Sequence, residues 1–218
     1  MTTPSYTLHD TGGSRSFPAP HALTQNAAPS GDVAVLIGTG AGAAYRALSD
    51  AASRTAVLIE LGTECLGVHT GEDRGKEGGN ALGFARFRLG DADPTNLVEL
   101  VKQPATKPEA LAAAKAVLEG AGLVVAVCND FPGRILDRLL RPYFNATLRR
   151  LDEGLASAED MDTTLKLGLG YPEGPIALLH RTGLAAHCDV SQALYEALGD
   201  PAYAPARRAQ VARQRAAR

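Results

Sequence analysis

The apolar positions of this chain follow two successive periods. VAVLIG, Val33 to Gly38, is a short run of β-branched and aliphatic residues ending on glycine, the pattern of a buried strand. A glycine-rich turn and the helix formers of AAYRALSDAA follow, and TAVLIELG, Thr55 to Gly62, again reads as a strand. The order is β-α-β. From Thr63 to Gly83 the stretch GVHTGEDRGKEGGN shows neither period, which predicts a surface loop. Order returns at Leu97–Val101. Thr106-Lys-Pro-Glu109 then forms a capping box with proline in the first turn of a helix reaching Glu119, and LVVAV, Leu123 to Val127, is a further strand.

Past Asp130 no strand-like run remains, and Ile135, Leu136, Leu139, Leu140, Tyr143, Phe144, Leu148, Leu151 and Leu155 recur at helical spacing. Such a stripe is too wide to leave in water. Pro142 within it predicts a kink, because the i to i−4 bond is lost there. Ser157-Ala-Glu-Asp160 caps a second helix ending at Gly168, and Pro175 and Gly183 punctuate two more. Residues 1–31, rich in Ser, Thr, Pro, Gly and Ala, predict a disordered tail. The basic run from Arg207 to Arg218 has no interleaved aromatics, which predicts a frayed, solvated helix end rather than a nucleic-acid patch. The expected organisation is a tail (1–31), an α/β domain (32–129) and an all-helical domain (130–218).

A hydrophobic share of 45% with 21% charge is that of a globular protein, and the formal charge of −2 offers no steering field to nucleic acid or an acidic membrane. Neither is an expected partner. Cys65, Cys128 and Cys188 contain no CxxC pair, so neither a disulfide framework nor a zinc site is indicated, and no metal is expected. The N-terminal residues lack a basic stretch followed by an apolar run, and nowhere do about eighteen apolar residues occur together. The expected location is cytoplasmic.

Asn129-Asp-Phe-Pro-Gly133 followed by ILDRLLRPYFNATLRRLDEGLASAEDMDTTLKLGLGYPEGP, Ile135 to Pro175, resembles the opening of the C-terminal domain of 3-hydroxyacyl-CoA dehydrogenases. The resemblance combines a strand-end Asp-x-Pro-Gly, a kinked long helix, an EG-x-AS-x-ED-x-D cap and a GYP-x-GP turn in that order, and it continues through Ala193–Pro201 and Tyr203. It implies a reduced Rossmann-like domain followed by a helical domain of the 6-phosphogluconate-dehydrogenase C-terminal type. It also implies NAD as cofactor, an acyl-CoA thioester as ligand, and dimerisation, with itself or with a full-length dehydrogenase, through the C-terminal helices. The function it implies is that of a 3-hydroxybutyryl-CoA dehydrogenase homologue of acyl-CoA metabolism.

By the same resemblance the catalytic histidine belongs just ahead of the Leu-Val-Glu strand, where this chain has Ala85. Alanine cannot accept a proton. Glu99 matches the glutamate that orients that histidine, and Asp137 stands where the family carries an asparagine near the reacting carbonyl. An anion there would oppose developing oxyanion charge. Both are expected as remnants, leaving a homologue with weak or no turnover or, alternatively, a non-catalytic dimerisation or acyl-CoA-binding subunit. None of the five histidines falls at a family base position. For the nucleotide, Gly38, Gly40 and Ala43 fit G-x-G-x-x-G/A between a strand and a helix, and Glu60 ends the next strand where a ribose-binding carboxylate would sit. The span from Asp32 to Asp130 is nonetheless too short for the further βαβ crossings of a full nucleotide domain.

Overall fold

A computed structural model describes residues 4–218, which form two compact units. One comprises residues 4–88 together with Pro94–Arg134; the other comprises Leu89–Asp93 and Ile135–Arg218. In the first, strands β1 (Tyr6–Asp10), β2 (Val33–Ile37), β3 (Ala56–Glu60), β4 (Ala81–Arg86), β5 (Leu97–Lys102) and β6 (Val124–Asn129) stand side by side in chain order. Neighbours run parallel except β4 and β5, which are antiparallel. Strands β2 and β3 are buried along their whole length, as expected of parallel strands covered on both faces. Alternation sends Val33, Val35, Ile37 and Leu58 to a core shared with Ala114, Val117 and Leu118 of helix α4 (Pro108–Gly120; the helices before it are α1, Ala22–Gln25, α2, Ala41–Ala47, and α3, Gly67–Thr70). Ala34, Leu36, Val57 and Ile59 pack on the other face with Ala41 and Leu66.

Three sequence expectations fail here. Residues from Tyr6 onward are not a disordered tail: β1 is an edge strand in register with β2, and the Tyr6 hydroxyl donates to the Leu23 carbonyl at 2.9 Å. Few large apolar residues suffice because the strand borrows an existing sheet. The supposed loop between β3 and Gly83 contains α3 and runs into β4, whose backbone bonds to β3 rather than any periodicity of its own define it. The capping box at Thr106 does not form, since its hydroxyl accepts instead from the Gln103 amide at 2.8 Å.

The second unit is helical: α5 (Leu136–Asp152), α6 (Ala158–Leu169), α7 (Pro175–Thr182), α8 (Leu184–Leu198) and α9 (Arg207–Ala216). Its core is built by Phe144, Leu148, Leu179, Cys188, Ala206 and Ala209. Helix α5 runs unbroken past Pro142. Its buried face is not the purely apolar stripe expected, because Arg141, Asn145 and Thr147 lie on it while Leu139 is 66% exposed. Ser157 caps α6 as anticipated, accepting from the Asp160 amide at 3.1 Å. The following motif has a local cause: Asp162 accepts from the Ile176 and Ala177 amides at 2.9 and 2.8 Å, capping α7, and a side chain at Gly174 would collide with it. Helix α9 is docked rather than frayed, with Ala209 fully buried and ion pairs from Arg208 to Asp152 and from Arg213 to Asp189 at 2.8 and 2.6 Å.

A polar chain crosses this core. Arg141 donates to Asp137 at 2.8 Å and to His187 Nδ1 at 3.0 Å; His187 Nε2–H in turn donates to Asn145 Oδ1 at 2.9 Å. Asn145 closes the chain on the Ala202 and Tyr203 carbonyls. Burial, then the Arg141 charge, hold the His187 imidazole down to about 3, so it is neutral in the folded protein. The unfolded chain binds a proton near pH 6.5 that the folded chain refuses. Stability from this group is therefore complete above that pH and is lost as pH falls toward 3. Acidification from pH 7 to 5 is expected to cost about 2 kcal/mol more in the parent than in His187→Gln, measured by urea unfolding at each pH. Parallel pH profiles would refute the assignment.

Candidate functional site

The glycine turn expected to cradle a dinucleotide joins β2 to α2. Gly38 lies in the left-handed region, at φ +95°. Its amide donates to Glu60 Oε2 at 2.7 Å, the Thr39 amide to the Gly12 carbonyl at 2.9 Å, and the Gly40 amide to Thr11 Oγ1 at 2.9 Å. Glu60, only 7% exposed, also accepts from the Ser16 amide at 2.7 Å and the Ser14 hydroxyl at 3.1 Å. Gly38, Gly40 and Glu60 are thus brought together as the motif requires, but around residues 11–16 of the same chain. Ala43 is exposed on α2. The carboxylate expected to hold a ribose already accepts three hydrogen bonds from its own chain, and the residues present do not fit a pyrophosphate in this arrangement. The signal missed in the sequence was Asp10-Thr-Gly-Gly-Ser14, directly after alternating Tyr6-Thr-Leu-His9, which reads as a strand and its turn.

The other sequence-predicted group centres on Glu99. Ala85 of β4 is its direct partner in the antiparallel register, so the two side chains share a face. Both are buried, Ala85 at 6% and Glu99 at 3% exposure. Glu99 is not waiting for an imidazole: Arg134, 7% exposed and held at φ +51°, donates Nε–H to its Oε2 at 3.2 Å. Arg134 Nη1 is buried without a hydrogen-bond partner. Sequence reading passed over Arg134, whose only flag was a cation after Pro-Gly in a sequence otherwise turning apolar. A guanidinium stays protonated at any working pH and cannot serve as a general base. Asp137, in the helical unit, is engaged by Arg141 as described, and its charge is compensated there.

Asp130, from the Asp-x-Pro-Gly motif, accepts from the Leu66 and Gly67 amides at 2.7 and 2.8 Å and so clasps the start of α3. Nearby, burial first and then the Asp130 charge raise the Cys65 thiol to about 11, and burial first and then the Glu99 charge raise Cys128 to about 11. Neither is a ready nucleophile. His69 Nε2 lies 3.3 Å from Glu64 Oε1, but its ring is pressed onto α2 so closely that a side chain at Gly42 would overlap it, and Nδ1 is buried without a partner. Its ring packs on α2 while it also borders a small cavity beside the glycine turn. Among the described residues no group of His, Cys, Asp and Glu is arranged to hold a metal ion, and no helix is long and apolar enough to cross a membrane.

Residues 133–216 match the family model described as 3-hydroxyacyl-CoA dehydrogenase, C-terminal domain. A probable 3-hydroxybutyryl-CoA dehydrogenase of Bacillus subtilis is 36% identical over 109 residues, covering 50% of this chain and 38% of that protein. The mitochondrial hydroxyacyl-coenzyme A dehydrogenase of Sus scrofa is 44% identical over 88 residues, covering 40% of this chain and 28% of the relative. The match thus spans well under half the length of these relatives. In fold, the chain is similar to an (S)-3-hydroxybutyryl-CoA dehydrogenase of Ralstonia eutropha, at TM-score 0.67 and 24% identity over 83% of this chain and 64% of that one. It is also similar to FadB2 of M. tuberculosis, at TM-score 0.68 and 20% identity over 85% and 66%.

Proposed function

From a chain that carries the C-terminal domain of the 3-hydroxyacyl-CoA dehydrogenase family behind a Rossmann-type sheet, we propose a homologue that binds acyl-CoA thioesters with little or no turnover of its own. The observation that carries this reading is the pairing of Ala85 with Glu99 across β4 and β5, with the Glu99 carboxylate already engaged by Arg134. A base, and the freedom of its orienter, are both missing. Recruitment of His69 as base is disfavoured by its packing on Gly42. In calorimetry, acetoacetyl-CoA should bind saturably and more tightly than free CoA, while NADH should not be oxidised in its presence. Absence of any acyl-CoA binding would remove this reading.

Assembly belongs to the same proposal. Helix α6 has no buried residue, and Leu155, Leu167 and Leu169 are 69%, 82% and 64% exposed. Apolar surface of this kind favours a partner at about 25 cal/mol per Å² covered. A second copy of this chain is the proposed partner, with a full-length dehydrogenase as the alternative on the same face. Sedimentation of the full chain should give a dimer that Leu167→Asp converts to monomer. A parent that stays monomeric at high micromolar concentration would refute self-association.

A further inference from the structure

We propose that the segment Thr11–Ser16 is a built-in plug, filling the cradle that a parallel α/β sheet ordinarily offers a nucleotide, so that this unit does not bind dinucleotides. The reading goes beyond the acyl-CoA proposal and stands without it. The site it concerns lies at the carboxyl ends of β1, β2 and β3, where ligands of such sheets usually sit.

A glycine turn binds phosphate because consecutive amides point at the anion and no side chain obstructs its approach. Here the amides of Gly38, Thr39 and Gly40 each have an acceptor from the chain itself: Glu60, the Gly12 carbonyl and Thr11 Oγ1. The space that glycine leaves open at position 38 is taken by protein backbone, since a Cβ there would overlap the Gly12 carbonyl oxygen and the Thr11 hydroxyl. At Gly40 a Cβ would come within 3.1 Å of Thr11 Cβ. The close approach that selects glycine is made by the neighbouring strand's turn, not by a ligand.

Charge points the same way. Glu60 is buried and bonded to the first amide of the turn, so an incoming phosphate would meet a fixed carboxylate where it needs donors. In turn the plug is held by that carboxylate, through the Ser14 hydroxyl and the Ser16 amide, and by Thr11, whose amide and hydroxyl both donate to the Ile37 carbonyl at 3.0 and 2.8 Å. Ser14 Oγ also accepts from the Phe17 amide at 2.9 Å, and Phe17 is buried in the core. Opening the cradle would therefore mean peeling β1's exit from the sheet. What remains beside the turn is a cavity of about 310 Å³ bordered by Arg15, Thr39, Glu60, Glu64 and His69, at the small end of ligand pockets and carrying two carboxylates against one guanidinium.

Hydrogen exchange and calorimetry on the full chain test this together. The amides of Gly38, Thr39 and Gly40 should be protected, with rates unchanged by millimolar NADH, ADP-ribose or inorganic pyrophosphate, and none of the three should give saturable heat. Thr11→Ala should speed exchange at Gly40 roughly tenfold while leaving Gly38 slow, because only the acceptor of Gly40 is removed. Unprotected turn amides, a Thr11→Ala variant with unaltered Gly40 exchange, or saturable NADH binding competed by ADP-ribose would each overturn the plug. Failure of acetoacetyl-CoA to bind would leave the plug standing and remove only the functional proposal. NADH binding would do the reverse.

Discussion

Arg134→Met should lower the unfolding free energy of this protein by about 3 to 5 kcal/mol, the cost of breaking a buried ion pair by removing one of its members. Both members are nearly inaccessible, so screening by water does little to soften the loss. The double variant Glu99→Gln with Arg134→Met should recover most of it, because a neutral amide in that position carries no uncompensated charge. Urea unfolding of the parent, both singles and the double supplies the cycle. A neutral Arg134→Met would mean that the Arg134–Glu99 pair contributes nothing to stability, and the account of Arg134 as the group that engages Glu99 would fail.

A histidine placed where the family resemblance implies a base should not by itself create a dehydrogenase. A positioned general base contributes about 10² to 10⁴-fold, so a merely damaged site should revive when the base returns. Ala85→His would set an imidazole on the face of Glu99, its partner across the strands, and Asp137→Asn would restore the amide that the family resemblance implies. We expect the double variant to stay at background for NADH-dependent reduction of acetoacetyl-CoA. Glu99 is bonded to Arg134, Asp137 is one link of a buried chain through Arg141 and His187, and the glycine turn is filled by residues 11–16. Three separate features must be undone, and two substitutions undo none of them completely. A rate at least about 10²-fold above the parent would show that the site had survived and that only its base was lost. Robust reduction by the unmodified protein would remove the non-catalytic reading altogether.

Much of the helical unit was legible because its determinants are local. Ser157 caps the helix that follows it, Pro175 and Gly183 punctuate the next two, and the spacing of Phe144 and Leu148 marks a buried face. The family resemblance rests on the same local motifs, one of which, Asp162 reaching the amides of α7, spans a single turn between neighbouring helices. Strands β2, β3, β5 and β6 were legible for a comparable reason, as aliphatic runs bounded by glycine or polar residues. Strand β1 and residues 11–16 were missed, although the alternation Tyr6-Thr-Leu-His9 before Thr-Gly-Gly-Ser14 was there to be read. The tail-like composition around them outweighed that short alternation, and the edge of β2 supplies the pairing.

The sequence by itself determined the β-α-β unit from Val33 to Glu60, the helical second half and the family likeness of the C-terminal residues. Those are facts of residue type and near-neighbour spacing, and a chain read in one dimension carries them. Only the tertiary structure decided what the chemically suggestive residues do: Glu60 binds the chain's own amides, Glu99 meets Arg134, Asp137 meets Arg141, and Gly38 makes room for Gly12. A buried carboxylate is defined by whichever donor reaches it first, and the separations involved, from residue 16 to 60 and from 99 to 134, leave no periodic trace. The same G-x-G-x-x-A that binds phosphate when it faces open space becomes a structural joint when another turn lies against it.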